Sequence, residues 1–134
     1  MSETLDLGGA TIEILAPFVM RGTIPPGTVV SLHSHADPET FVAISGEVEA
    51  YVDGRWDRVG PGDVCHVRGD TRHGFRNLEQ EPSVMILVST PKMERFFREV
   101  AGSTPEHFLA VSDRYGYWNA TPEESAAVGL PVSP

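Results

Sequence analysis

The residues of this chain best suited to chemistry are three histidines and a glutamate: His33, His35, Glu39 and His73. His33 and His35 stand two apart in a stretch rich in β-branched residues. Side chains alternate along a strand, so i and i+2 share a face and two imidazoles can converge on one ion. Ala36-Asp37-Pro38 reads as a turn, and a new strand starts at Glu39-Thr40-Phe41. A hairpin at that turn would bring the Glu39 carboxylate beside both imidazoles. His73 follows a further strand and a Gly-Asp turn and can supply a fourth ligand from across a barrel. Three nitrogens and one carboxylate suit a divalent ion of Fe, Mn, Ni, Cu, Co or Zn; the thiolates typical of structural zinc are absent. A five- or six-coordinate ion held this way keeps positions open for water, substrate or dioxygen.

These residues sit in a chain that reads as short strands from residue 11 to about 90, with turn signals every 8 to 12 residues. Residues 11–15, 18–24, 28–35, 41–45, 47–52, 64–67 and 83–89 each carry alternating or continuous apolar patterns. Asp53-Gly54 supplies a two-residue hairpin turn. Regular short strands favour a sandwich or closed barrel over a βαβ fold. After Pro91 the period changes: Met93, Phe96, Phe97 and Val100 fall on one helical face. Thr104-Pro105-Glu106 and Thr121-Pro122-Glu123-Glu124 open two further helices, the last with a capping box. The whole chain, 1–134, is expected to form a single domain, with a helical tail from about 91.

Composition narrows the partners. Ten basic against nineteen acidic residues give a formal charge of −9, which repels phosphate backbones and anionic lipid. Nucleic acid and membrane are therefore poor partners. No apolar stretch approaches the length of a transmembrane helix, and the N-terminus lacks the basic and apolar regions of a signal peptide. Cys65 is the lone cysteine, so no internal disulfide can form. A cytoplasmic location is expected.

The spacing of the ligand candidates resembles the cupin superfamily. Gly27, His33, His35, Glu39 and Gly46 match its first motif at every defined position, and Gly62, His73 and Asn77 match the second. Arg68 and Asp70 replace the usual proline and glycine of that second motif. The resemblance implies an all-β cupin jelly-roll barrel with short C-terminal helices. Pro25-Pro26-Gly27, Val52-Asp53-Gly54, residues 73–77 and residues 90–99 narrow it to single-domain cupins similar to the quercetin 2,3-dioxygenase group. That group implies a metal-dependent dioxygenase acting on a phenolic or enolic small molecule, with Glu39 as general base. Alternatives in the superfamily are a redox-neutral isomerase, decarboxylase or polyketide cyclase, and a non-catalytic ligand-binding cupin.

Phe41 and Phe75 share parity with Glu39 and His73, which points them into the barrel as substrate-contacting walls. Arg68 either pairs with Asp70 at the surface or turns inward to hold a carboxylate or phenolate. His66 and His107 read as structural or solvent-facing, and Cys65 as a small core residue. Met93, Phe96 and Phe97 read as helix packing. A homodimer is expected from the habit of small jelly rolls of covering a sheet edge. Trp56 and the Tyr115, Tyr117, Trp118 cluster are candidates for that contact.

Overall fold

A computed structural model describes residues 3–132. Ten strands are followed by three helices, with a two-residue strand between the second and third helix. The first four strands are β1 (Glu3–Asp6), β2 (Thr11–Ala16), β3 (Val19–Ile24) and β4 (Val29–Ser34). Next come β5 (Glu39–Ser45), β6 (Val48–Val52), β7 (Arg55–Val59), β8 (Val64–Val67), β9 (His73–Arg76) and β10 (Ser83–Val88). The tail holds α1 (Pro91–Val100), α2 (Pro105–Tyr115), β11 (Trp118–Asn119) and α3 (Pro122–Ala127). Among the described residues the strands pair antiparallel and make two sheets, ordered β1-β2-β3-β10-β5-β8 and β11-β4-β9-β6-β7. This is the all-β jelly roll with short C-terminal helices that the cupin resemblance implies.

Alternation builds the core. Met20, Ile24, Phe41, Ala43, Val48, Ala50, Phe75, Met85 and Leu87 are buried between the sheets, while the residues between them on each strand are more exposed. Asp53 and Gly54 both take positive φ (49° and 83°), as a two-residue hairpin turn demands. Gly46 is required twice over: its φ is +70°, and a Cβ would stand 2.0 Å from the Pro82 carbonyl oxygen. The motif asparagine, Asn77, is fully buried and donates to the Ile24 and Glu81 carbonyls while accepting from the Glu79 amide. It ties the ends of β3 and β9 to the loop before β10.

The strand layer starts earlier than the sequence pattern suggests, because β1 pairs with β2 from Glu3 onward. Only Leu5 of β1 is buried, so four residues with one inward apolar side chain leave no periodic signal. Thr104 and Thr121 cap α2 and α3 as expected, and Thr90 caps α1 in the same way, each accepting a hydrogen bond from a backbone amide of the first turn. Among the described residues, no helix is long and apolar enough to cross a membrane.

Candidate metal centre

The four chemistry-bearing residues meet at one end of the sandwich. One ligand atom from each of His33, His35, Glu39 and His73 lies within 4.8 Å of the other three. His35, Glu39 and His73 are buried and His33 is partly so. Which strand carries each ligand corrects two expectations. His73 does not reach in from across the barrel: it is the Cα partner of His33 on the neighbouring strand, with their rings 4.2 Å apart. Glu39 is the ligand from across. It opens β5, which pairs with β8 and β10 in the other sheet, so Ala36-Asp37-Pro38 is an arch between sheets and not a hairpin. The register of β4 shifts between Val30 and His33, an irregularity of the kind that re-aims side chains next to functional sites.

Each imidazole is oriented by a carbonyl two residues away. His33 Nδ1 donates to Ser31 O (2.7 Å), His35 Nδ1 to Asp37 O (2.8 Å) and His73 Nδ1 to Thr71 O (2.7 Å). A carbonyl can only accept, so the proton sits on Nδ1 and the Nε2 lone pair is left for a ligand role. His35 Nε2 and His73 Nε2 then lie 3.0 and 3.3 Å from Glu39 Oε1. Two acceptors that close to a carboxylate oxygen repel unless a cation lies among them, either a shared proton or a metal ion. The donor set therefore fits a metal. Without one, a proton on His35 facing the ionised Glu39 can take that place. Burial disfavours charge on both Glu39 and His35, but their mutual hydrogen bond and attraction win. Glu39 is held down to about 2, helped by His73, and His35 is pushed up. His33 falls to about 3, through burial and then the neighbouring His73 and His35.

Beside this cluster lies a cavity of about 320 Å³, lined by His33, His35 and Glu39 and walled partly by the barrel and partly by the tail. A smaller one of about 100 Å³ lies against Phe41 and Phe75, with His33 and Glu39 on its border. The two phenyl rings pack edge to face, 4.9 Å between centroids, as their strand parity predicts. Met93 and Phe96 are buried, and together with Phe97 they both pack α1 and line the larger cavity. Arg68 is exposed and lines neither cavity, so the inward reading of that side chain is not what the structure shows. Asp70 occupies the position of the motif's glycine with φ +61°, a left-handed conformation that Asp tolerates, and its amide donates to His35 O (2.6 Å). His66 is exposed and shares a hydrogen bond with Thr40, and His107 is exposed on α2. Cys65 is half-buried beside the core.

Tyr117 corrects the expectation of a dimer contact. It is buried within its own chain, 5.3 Å from the His35 ring, and its hydroxyl donates to Asp37 Oδ1 (2.7 Å). Burial and then the Asp37 carboxylate push its pKa up. Thr90, the cap of α1, donates to the other Asp37 oxygen. Asp37 therefore joins the His35 loop to the tail, a role its place in a turn did not announce. Asn119, likewise unflagged, is the Cα partner of His33 in β11–β4 and lines the larger cavity.

A family model for the cupin domain matches residues 20–89, just over half of the chain. This chain belongs to the cupin family. Quercetin 2,3-dioxygenase of Bacillus subtilis (strain 168) is 32% identical over 87 residues, which cover 63% of this cupin and 26% of that enzyme. This cupin thus spans about a quarter of that relative's length. Similar folds include an RmlC-like cupin from Shewanella frigidimarina, with TM-score 0.62 and 21% identity over 72% of this chain and 89% of that one. The polyketide cyclase RemF from Streptomyces resistomycificus has TM-score 0.59 and 16% identity, with 67% and 74% covered. A predicted oxalate decarboxylase from Thermotoga maritima has TM-score 0.57 and 22% identity, with 67% and 91% covered.

Proposed function

We propose that this cupin is a metal-dependent dioxygenase acting on a phenolic or enolic small molecule. The observation that carries the reading is the set of three imidazoles whose Nδ1 atoms are tied back to carbonyls, leaving each Nε2 to the cluster beneath an apolar cavity. The 32% identity to a quercetin 2,3-dioxygenase supports the reaction class. His33, His35, Glu39 and His73 would hold one divalent transition-metal ion, which when bound supplies a Lewis acid that lowers the pKa of a substrate hydroxyl. Glu39 is the general base: its carboxylate is ionised, buried and on the cavity wall, within hydrogen-bond reach of a hydroxyl bound there. The wall from α1 and α2 keeps water from the resulting anion, and Phe41 and Phe75 line the smaller apolar cavity that borders Glu39.

Oxygen-electrode assays of metal-loaded protein against flavonols and smaller enols test the proposal. Substrate-dependent uptake that disappears in Glu39→Gln is expected. Background uptake across the whole panel would sink it, and product formed at the same rate under argon would instead place this chain among redox-neutral cupins.

A further inference from the structure

The larger cavity has two unlike sides. On one, Leu7, Met93, Phe96, Phe97, Val100 and Phe108 form an apolar wall. Phe96 is the hub of that wall, with its ring 4.8 Å from Tyr117, 5.7 Å from Phe108 and 6.1 Å from Phe97. Interlocked rings of this kind hold a fixed surface and suit a flat guest. The other side is formed by β4, the residue before it and β11, and contributes Thr28, Ser31 and Asn119. Two further hydroxyls on the lining are committed elsewhere, Ser112 to the Phe108 carbonyl and Tyr117 to Asp37. Asn119 stands directly opposite His33 in an antiparallel pair, and residues so paired project to the same face. Its amide is thus placed to meet a guest whose oxygen lies at the His/Glu cluster.

Charge supplies the second constraint. Among the described residues that line this cavity none is Lys or Arg, and its one acidic residue is Glu39. The nearby cations are turned away: Arg72 lies over the Trp118 ring at 4.1 Å, and Lys92 donates to the Tyr115 carbonyl. A second anionic group on a guest would find no cationic partner on this lining, in a chain of formal charge −9. The volume of about 320 Å³ is at the low end for small-molecule pockets, which favours one or two rings.

We infer that the site takes a compact ring compound with one ionisable oxygen at the His/Glu cluster, no carboxylate or phosphate elsewhere, and a polar edge read by Asn119. The inference rests on the small-molecule reading of the site given above and adds the substrate's charge, size and specificity residue.

Calorimetric titration of the full chain loaded with zinc tests it, since zinc has no redox chemistry and binding is read without turnover. The probes are 2-naphthol, 6-hydroxy-2-naphthoate and a set of dihydroxynaphthalenes. 2-Naphthol should bind at least about tenfold more tightly than the hydroxynaphthoate, which differs only by a remote carboxylate. At least one dihydroxynaphthalene should bind more tightly than 2-naphthol, and Asn119→Leu should erase that gain. The readout is a ratio of two ligands, which a partial loss of folded protein does not change. Hydroxynaphthoate binding as tightly as 2-naphthol, or a ratio unmoved in Asn119→Leu, overturns the inference. Tight 2-naphthol binding with no oxygen uptake in the iron-, nickel- or manganese-loaded protein would instead overturn the dioxygenase reading and leave this one standing.

Discussion

The barrel and the helical tail meet at the same cavity, but they are organised over different distances along the chain. On the barrel side, every imidazole is held by a carbonyl two residues away: Ser31 for His33, Asp37 for His35, Thr71 for His73. On the tail side the connections are long. Tyr117 reaches Asp37 across 80 residues, Thr90 reaches it across 53, and the Ser125 hydroxyl accepts from the Leu32 amide across 93. Each region has its own apolar cluster, one between the sheets and one around Met93, Phe96, Val100, Val111 and Tyr117. The difference teaches a division of labour. The barrel orients the His/Glu cluster locally, and the tail closes and shapes the space beside it.

Substitutions can break that division or sharpen it. The largest effect is expected at the barrel end. His35→Ala should lower metal content from about one ion per chain to near zero, read by elemental analysis beside the wild type. Retention of a full equivalent would remove His35 from the ligand set. In the tail, Phe96→Ala should cost about 3–5 kcal/mol in denaturant unfolding, because it empties the centre of the second apolar cluster. Metal content should hold in that variant, and if it fell in step with His35→Ala the two regions would not be separable.

Tyr117→Phe probes the join between them. It leaves a buried Asp37 oxygen without its hydroxyl donor, at a cost of about 1–3 kcal/mol. Equal melting curves for variant and wild type would show that the clamp contributes nothing. The smallest effect concerns pH in metal-free protein. His33 is held down to about 3 from its usual 6.5, so the folded chain binds fewer protons than the unfolded chain between those values. That stabilisation is complete above pH 6.5 and is lost as pH falls toward 3. Glu39, held near 2 from 4.5, acts in the same direction at lower pH. His35, with its pKa raised, acts oppositely: its contribution is present below 6.5 and lost as pH rises through the raised value. Melting temperatures of chelated protein should rise from pH 3 to 6.5, and His33→Asn should flatten that slope.

Local spacing was enough to read the shared face of His33 and His35, the Asp53-Gly54 turn and the helix starts at Thr104 and Thr121. Each depends on residues within a few positions of one another: strand parity, a two-residue turn or a capping hydroxyl. Parity also placed Phe41 and Phe75 inside the barrel, since alternation settles which face of a strand a side chain occupies. It does not say which sheet the strand joins. For that reason Glu39 was expected across a hairpin and His73 across the barrel, whereas pairing puts His73 beside His33 and Glu39 in the opposite sheet. The direction of Arg68, the burial of Asp37 and Tyr117, and the place of Asn119 beside His33 likewise had no local signature. They follow from how residues beyond 90 fold back onto strands before 40. Sequence alone named the four candidate donors; only tertiary packing brought them within 4.8 Å of one another and decided what surrounds them, because those contacts are made between segments far apart in the chain.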